Sequence, residues 1–343
     1  MVTTRRPRAS VCIPAFNCRE TLPEALEHLE RQTLRDFEVL VCDDGSTDGT
    51  WEYLQGLDRP NVRILRNPEN LNLPVTMRRL FDEARGELIC MHHDHEYVRE
   101  DWLASMSGLF ERYPRVGMAV AAYDLRHAGG ELVRRPRTAQ DDLFRAANPL
   151  PGSAVVRALA VKRHTPISAH ASVFRADVVE RAGGYSEQWW LASDEDLYFR
   201  VAAISDVVYC TEPVAVVATR PEGREYRLGS LPNLYSTFEL RKAVTRSVWG
   251  PWSPARAWNL VRLSALEAAA MVRETLRRWL YGTRADLEAA LRLDELPVLP
   301  SGRGFLPVPA DAAWRAAVRV LVLGAGFGRG LGRVRRRIQG RAL

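Results

Sequence analysis

Residues 37–50, FEVLVCDDGSTDGT, decide the fold of this chain. They begin with a mostly apolar run, typical of a strand that is buried on both faces, and the acidic stretch DDGSTD follows at once with residues that favour turns and helix caps. WEYLQGL then continues as a helix, with Ser46, Thr47 or Asp48 as its N-cap. The stretch therefore predicts a buried strand, an acidic turn and a helix in succession.

The same alternation extends to both sides of this stretch. SVCIPAF, NVRILRN and ELICMHHDHEYV are typical of strands, and TLPEALEHLERQT and NLPVTMRRLFDEARG have the apolar spacing of helices. Strands alternating with helices predict an α/β fold with a mainly parallel sheet that is covered on both faces. Because ligands of such sheets bind beyond the carboxyl ends of the strands, PAFN, DDGSTD and HHDHE are the candidate site segments.

The domain organisation follows from where this patterning begins and ends. After a basic leader at residues 1–8, the patterned α/β region covers residues 9–221. Residues 222–310 are expected to form a helical extension with a proline-rich linker, in which Val261 belongs to an apolar stripe. Residues 311–343 are expected to form a basic amphipathic tail.

Composition restricts the compartment and the partners. No apolar run reaches the ~20 residues that cross a bilayer, and the leader lacks the apolar stretch of a signal peptide, so we expect a cytoplasmic protein. The five cysteines form no CxxC pair and are typical of small core residues. The net charge of +6 is compatible with phosphates, anionic donors or lipid surfaces. Nucleic acid is not among the expected partners.

Two acids close the strand of the deciding stretch. Asp43 and Asp44 stand where the side chains become exposed while the backbone stays fixed, so that a carboxylate there can accept hydrogen bonds from a base or a ribose. The alternative is that DDGSTD only turns the chain and caps the next helix.

A second acidic cluster, His93-Asp94-His95-Glu96, closes a later strand. In an extended chain the one-residue gap puts Asp94 and Glu96 on the same side, where two hard oxygen ligands can bridge Mn²⁺ or Mg²⁺ to a diphosphate. A zinc site through His93 and His95 is an alternative, although the sequence provides no third ligand for it. Solvated polar residues at a strand end are a further alternative.

The third cluster, Asp194-Glu195-Asp196, precedes a helical pattern in which Leu197 and Val201 are four residues apart. A carboxylate at the start of such a helix can act as a general base for an acceptor hydroxyl group. Acids at a helix N-terminus are also favourable through the helix dipole alone.

The order of these clusters resembles the family 2 glycosyltransferases of the GT-A fold. Their usual run is P-x-[FY]-N, DDGS-[TS]-D, a D-x-D-like strand end, and GG-[FY]-x-E before an acid-rich helix start with L-x-x-R. The matching residues are Pro14, Phe16, Asn17, Asp43 to Asp48, Asp94, Glu96, Gly183, Gly184, Tyr185, Glu187, Asp194, Leu197 and Arg200. The resemblance covers about residues 9–220 and implies a GT-A domain, with a Rossmann-like sheet, followed by a helical extension.

The resemblance also implies roles for the residues that match. The loop Pro14-Ala15-Phe16-Asn17, with Asp43 and Asp44, would hold the nucleoside of a UDP-, dTDP- or GDP-sugar. Asp94 and Glu96 would hold Mn²⁺ or Mg²⁺ together with the diphosphate. The base would be Asp194, with Asp196 second in line. The acceptor or sugar candidates are His95, Trp189, Trp190 and Glu195.

Members of this family invert the anomeric carbon, and a metal neutralises charge on the departing nucleoside diphosphate. The expected acceptor is a saccharide, a lipid-linked sugar or a small molecule, with cell-surface polysaccharide or glycoconjugate biosynthesis as the expected process. The basic tail makes a peripheral contact at the inner face of the cell membrane an open alternative.

Other functions are expected less. A GT-A-like protein that binds nucleotide sugars without turnover is one alternative, because His93 and His95 stand near the usual metal acids. Ser193 also stands where many relatives carry glutamate. A natural-product glycosyltransferase with a soluble acceptor is another alternative. The glycine-rich GAGFGRG does not fit a dinucleotide-binding turn, because the third glycine position is Arg329.

Overall fold

The structure is a computed structural model in which the chain divides into two units, residues 1–225 and 226–343. It describes residues 6–126, 131–133, 139–145, 147–161, 171–189, 192–218, 231–249, 253–264 and 266. Trp190 and the basic tail at 311–343 lie outside the described residues, and the boundaries expected from sequence stay predictions.

The first half of unit one alternates strands and helices. Its elements are β1 (Ala9–Ala15), α1 (Leu22–Glu30), β2 (Phe37–Asp43), α2 (Thr50–Gln55), β3 (Val62–Arg66), α3 (Leu73–Glu83) and β4 (Leu88–Met91). These four strands pair in parallel in the order β3-β2-β1-β4. The α/β prediction made from the deciding stretch is confirmed.

The second half makes the sheet mixed. Its elements are β5 (Glu96–Val98), α4 (Trp102–Arg112), β6 (Val116–Arg126), β7 (Leu132–Val133), α5 (Ala139–Leu143), α6 (Gly152–Val161), β8 (Val173–Arg175), α7 (Ala176–Arg181), α8 (Ser193–Ile204) and β9 (Asp206–Ala218). The sheet continues from β4 as β8-β6-β9-β5, and β7 pairs with the end of β6. Strand β8 is antiparallel to both of its neighbours.

The core lies where the sequence pattern predicts it. All seven residues of β2 are buried, as expected of a strand that is covered on both faces. Helix α1 buries the face formed by Leu22, Ala25, Leu26 and Leu29 against the sheet. Each fully buried leucine of this kind stabilises the fold by about 1.5–3 kcal/mol.

The strand register determines which residues meet at one edge of the sheet. Ala15 at the end of β1 lies opposite Asp43, and Cys12 lies opposite Met91 at the end of β4. The backbone amide of Met91 also donates to the carbonyl of Ser172, just before the antiparallel strand β8. The carboxyl ends of β1, β2 and β4 therefore line one edge, and the start of β8 adjoins them.

Unit two contains α9 (Leu231–Val248) and a helical run over 254–264. Phe238 and Leu263 are buried against each other, with Leu266 beside them. Val261 is 64% exposed, so the apolar stripe expected through it is not the buried face of this helix. The correct face includes Leu263, two positions further on, and the remainder of the stripe lies outside the described residues. Among the helices that the structure describes, none has the length and apolarity needed to cross a membrane.

Candidate active site

Two loops at the edge of the sheet are fastened to each other. The backbone amide of Asn17 donates to Ser46 Oγ (3.0 Å), and the amide of Thr47 donates to Asn17 Oδ1 (2.9 Å). Asn17 has a φ of 49°, a left-handed conformation that asparagine tolerates better than most residues. Pro14 and Ala15 are still part of β1, whereas the ring of Phe16 is 46% exposed. An apolar ring is thereby presented to solvent beside a polar loop.

Gly45 allows a third loop to approach these two. Its φ is 72°, and a Cβ built on it would lie 2.6 Å from the carbonyl carbon of Glu69. Only glycine accommodates both the left-handed backbone and this contact. The turn after β2 therefore packs directly against the segment that follows β3.

Asp44 organises that segment. Its carboxylate accepts hydrogen bonds from Asn67 Nδ2 (2.7 Å) and from the backbone amides of Leu71 (2.9 Å) and Asn72 (3.1 Å). The side chain is buried, and both of its oxygens serve the protein. The structure therefore gives Asp44 a loop-stabilising role, where the sequence predicted a direct contact with the nucleoside.

We expect Asp44→Ala to lower the free energy of unfolding by about 2 kcal/mol, because the buried Asn67 amide and the backbone amides of Leu71 and Asn72 lose a charged acceptor. The KM for the donor should rise as well, since residues 67–72 loosen. Chemical denaturation and initial-rate kinetics measure the two effects, with Asp58→Ala on an exposed loop position as the control. A raised KM without any loss of stability would instead support the direct contact.

Asp43 differs from its neighbour. It is fully buried, and its Oδ1 accepts a long hydrogen bond from the backbone amide of Ser46 (3.4 Å). No described group donates a hydrogen bond to its Oδ2, although Arg66 Nε lies 3.3 Å away as an ion-pair partner. The Arg66 guanidinium in turn stacks over Trp51, 4.3 Å from the ring centroid. A buried carboxylate oxygen with this environment can accept a hydrogen bond from a ligand.

Sequence reasoning missed Asn67 and Arg79 at this end of the site. Asn67 follows β3 directly, is buried, and donates to both Asp44 and Thr76. Arg79 on α3 donates to Asn67 Oδ1 and to the carbonyl of Arg66, each at 2.7 Å. The strand-end rule that selected Asp43 also applies to Asn67. Arg79 has no comparable signal in the sequence.

The HHDHE segment forms a turn. The amide of Glu96 donates to the carbonyl of His93 (3.1 Å), and β5 starts only at Glu96. The prediction that an extended chain puts Asp94 and Glu96 on the same side is therefore wrong. Side chains alternate from one face to the other only in an extended strand, so a turn does not keep residues two apart on the same side.

Glu96 lies beneath the surface of the site. It is fully buried, and its carboxylate contacts His93 Nδ1 (2.8 Å) and His92 Nδ1 (3.3 Å). The pKa of His93 is raised, because burial alone would lower it but the nearby carboxylates of Glu96, Asp194 and Asp94 outweigh that effect. Glu96 thus orients two imidazole rings and favours the charged form of His93, and its burial argues against direct contact with an ion.

Asp94 stands at the tip of the same turn. It is mostly buried, accepts a hydrogen bond from Thr21 Oγ1 (2.5 Å), and has Oδ1 3.4 Å from His95 Nδ1. Within the described residues, no three His, Cys, Asp or Glu side chains are arranged to hold a metal ion. An ion at Asp94 therefore requires ligands from a bound molecule as well.

The acids that begin α8 have different partners. Asp194 Oδ1 accepts a hydrogen bond from the hydroxyl group of Tyr185. Asp196 is paired with Arg200 at 2.7 Å, and Trp189 donates a hydrogen bond to it. Burial raises the pKa of Asp196, while Arg200 and Trp189 oppose that rise. Asp196 is therefore part of an internal ion pair, whereas Asp194 interacts electrostatically with His93 of the turn after β4.

The acceptor candidates separate in the same way. Trp189 is 8% exposed and donates a hydrogen bond to Asp196. A ring that is buried in this way has a packing role and offers no surface on which a sugar could stack. His95 and Glu195 are partly exposed, and Trp190 lies outside the described residues. His93 interacts electrostatically with both Asp94 and Asp194, so the turn after β4 and the start of α8 face each other.

Comparison with known proteins agrees with this architecture. The sequence profile described as Glycosyl transferase family 2 matches residues 10–181, half of the chain. An uncharacterized protein of Mycobacterium tuberculosis is 27% identical over 234 residues, which is 64% of this chain and 73% of that protein. An Escherichia coli UDP-Glc:α-D-GlcNAc-diphosphoundecaprenol β-1,3-glucosyltransferase is 33% identical over 58 residues, only 17% of this chain and 23% of that protein.

Two solved structures have the same fold. S. aureus TarS 1–349 in complex with UDP-GlcNAc matches with a TM-score of 0.59 at 14% identity, covering 83% of this chain and 79% of that one. A mannosyltransferase from Pyrobaculum calidifontis in complex with GDP-Man and Mn²⁺ matches with a TM-score of 0.50 at 18% identity, covering 92% and 81%. At these identities the likeness shows the fold, which is the GT-A fold predicted from sequence.

Proposed function

This chain belongs to glycosyl transferase family 2, and from that premise we propose that it moves a sugar from a nucleotide sugar to an acceptor hydroxyl group with inversion at the anomeric carbon. Two observations support the proposal. Asp43 and Asp94 lie at the carboxyl ends of parallel strands at one edge of the sheet, and His93, next to Asp94, interacts electrostatically with Asp194 at the start of α8. A nucleoside, a diphosphate and an acceptor each need one such polar group. Glycosyltransferase activity itself follows from the family.

The nucleoside half of the donor fits the two fastened loops. The exposed ring of Phe16 offers a stacking surface for a base, and Asp43 Oδ2 offers a buried acceptor for a ring N–H. Asn67 and Arg79 border the same region and support it through Asp44. We assign the nucleoside to this half, with Asp44 acting through the loop it holds.

The diphosphate half is assigned to Asp94. Mn²⁺ and Mg²⁺ prefer oxygen ligands such as carboxylates. Mg²⁺ is often bound by one or two carboxylates, and substrate phosphates provide further ligands. The described residues contain no group of three His, Cys, Asp or Glu side chains that could hold a metal ion. A single carboxylate therefore fits an ion that is also held by the diphosphate of the nucleotide sugar. When bound, the ion would neutralise charge on the departing diphosphate. We propose Asp94 as the protein ligand of this ion and Glu96 as the residue that orients His92 and His93.

The acceptor is assigned to the space before α8. In the transfer, the acceptor oxygen forms a bond to the anomeric carbon while the bond from that carbon to the diphosphate oxygen breaks. The hydroxyl proton passes to the carboxylate of Asp194, and the electron pair of the broken bond leaves with the nucleoside diphosphate. Attack from the face opposite the leaving group inverts the anomeric carbon.

Release of nucleoside diphosphate from UDP-, dTDP- and GDP-sugars, with and without Mn²⁺, tests the proposal. We expect metal-dependent release from one nucleotide class, and NMR of a glycosylated product should give the inverted anomer. If donors raise the melting temperature but no condition releases nucleoside diphosphate, the chain is a nucleotide-sugar-binding protein without turnover. A product with retained configuration contradicts the inverting mechanism.

The acceptor class is inferred from relatives. The E. coli relative carries a lipid-linked acceptor in its name, and we propose a saccharide or lipid-linked saccharide of a cell-surface polysaccharide for this chain. A small soluble acceptor is the alternative.

With a lipid-linked acceptor we propose a cytoplasmic location and a peripheral membrane contact through residues 311–343. Seven arginines follow residue 318, and each basic residue near an anionic bilayer contributes about 1 kcal/mol, so we expect the full chain to co-sediment with anionic vesicles at low salt and not at high salt. A chain ending near Asp311 is the control. Recovery of both chains in the supernatant at low salt contradicts membrane contact and favours a soluble acceptor.

A further inference from the structure

The turn before α8 inserts a tyrosine beneath the proposed base. Gly183 and Gly184 have φ values of 91° and 72°, and Arg200 Nη1 donates to the carbonyls of Ala182 (2.6 Å) and Gly184 (2.7 Å). This turn buries the next residue, Tyr185, to 1% exposure, with its ring 5.2 Å from that of Phe81. Neither the ring nor its hydroxyl group can therefore move far.

The hydroxyl group of Tyr185 joins two residues at the start of α8. It donates to Asp194 Oδ1, and its oxygen lies 3.1 Å from Ser193 Oγ. Because the phenol hydrogen goes to Asp194, the Ser193 hydroxyl is the donor in the second contact. Burial, together with the charge of Asp194, raises the pKa of Tyr185 well above its usual value, so the phenol keeps its proton. A relay of donors therefore runs from Ser193 through Tyr185 to Asp194.

We propose that Tyr185 is a positioning residue for the base, which fixes one oxygen of Asp194 and stabilises its charged form so that the other oxygen takes the acceptor proton. This inference rests on the proposed function, because it assumes that Asp194 is the base. Ser193 supports the same arrangement from the adjacent position. A fixed carboxylate meets the acceptor in one orientation, which is the requirement for efficient proton transfer.

Other charged or titratable groups also face Asp194. His93 approaches from the turn after β4, Tyr198 lies one turn further along α8, and Glu195 and Asp196 are its neighbours on the helix. Of these, Tyr198 matches Tyr185 closely in setting. It is 1% exposed and stacks on Phe174 at 6.0 Å, and its hydroxyl is not a hydrogen-bond partner of Asp194.

Tyr185→Phe in the full chain, with Tyr198→Phe as the matched control, tests the inference. Loss of the donor disfavours the charged carboxylate, so we expect kcat to fall about tenfold and the acid limb of the kcat/KM profile to move up by about one pH unit. The KM for the donor should stay unchanged. Ser193→Ala should move the same limb in the same direction by a smaller amount, and Tyr198→Phe should leave the limb where it is.

The possible outcomes separate the inference from its premise. An unmoved acid limb in Tyr185→Phe overturns the positioning role, whether or not the variant loses stability. An equal shift in Tyr198→Phe overturns it too, because the effect then belongs to the packing of α8. If Asp194→Asn keeps wild-type turnover, the assignment of the base fails instead, and any shift in Tyr185→Phe then reports another group.

Discussion

Replacing Asp194 with asparagine is expected to lower kcat by at least about a hundredfold and to leave the affinity for the donor nearly unchanged. Asparagine has almost the same shape and can still accept a hydrogen bond from Tyr185, so the start of α8 should remain intact. What the variant loses is the ability to take a proton. Single-turnover kinetics measures the first effect, and titration with nucleoside diphosphate measures the second.

Asp196→Asn is the matched control, since it makes the same change two positions along the helix. Asp196 is paired with Arg200, which holds the carbonyls of Ala182 and Gly184. We therefore expect a less stable protein whose folded fraction loses much less turnover than Asp194→Asn, because the carboxylate of Asp194 is kept. The reverse pattern, with Asp194→Asn active and Asp196→Asn inactive but stable, transfers the role of base to Asp196.

The position of several candidate site residues was predictable because a parallel sheet has a simple rule. In such sheets ligands bind beyond the carboxyl ends of the strands, and this rule selects Asn17 and Asp43, which the structure places at that edge. The same rule, applied to the third strand, selects Asn67. The rule does not assign partners, which is why the loop-holding bonds of Asp44 were not predicted.

The second and third clusters depended on local geometry that a sequence pattern does not contain. A one-residue gap implies a shared side only in an extended chain, and the 93–96 turn separates Asp94 from Glu96. Three consecutive acids at a helix start point in different directions, because successive residues are about 100° apart around a helix axis. Tertiary partners, Tyr185 for Asp194 and Arg200 for Asp196, then assign different roles to neighbouring acids.

Replacing Asp94 with alanine is expected to remove most of the effect of Mn²⁺ on the binding of nucleoside diphosphate. In the wild-type protein we expect Mn²⁺ to strengthen the binding of nucleoside diphosphate by about a hundredfold, and the variant should lose most of that gain while binding equally well without metal. The reason is that the carboxylate acts on the diphosphate only through the ion. Calorimetric titration of both proteins, with Mn²⁺ and with a chelator, measures the coupling directly as a ratio of two affinities.

Two control variants make this result specific to one side chain. Thr21→Val removes the donor to Asp94 Oδ2 but keeps the carboxylate, so the metal effect should persist. Glu96→Gln alters the buried partner of His92 and His93, and it should change stability more than metal coupling. If Glu96→Gln abolishes the coupling and Asp94→Ala does not, the ion is bound through Glu96. If Mn²⁺ has no effect on wild-type affinity, the diphosphate is held without a metal. His93, whose pKa is raised, is then the candidate cationic partner at this turn.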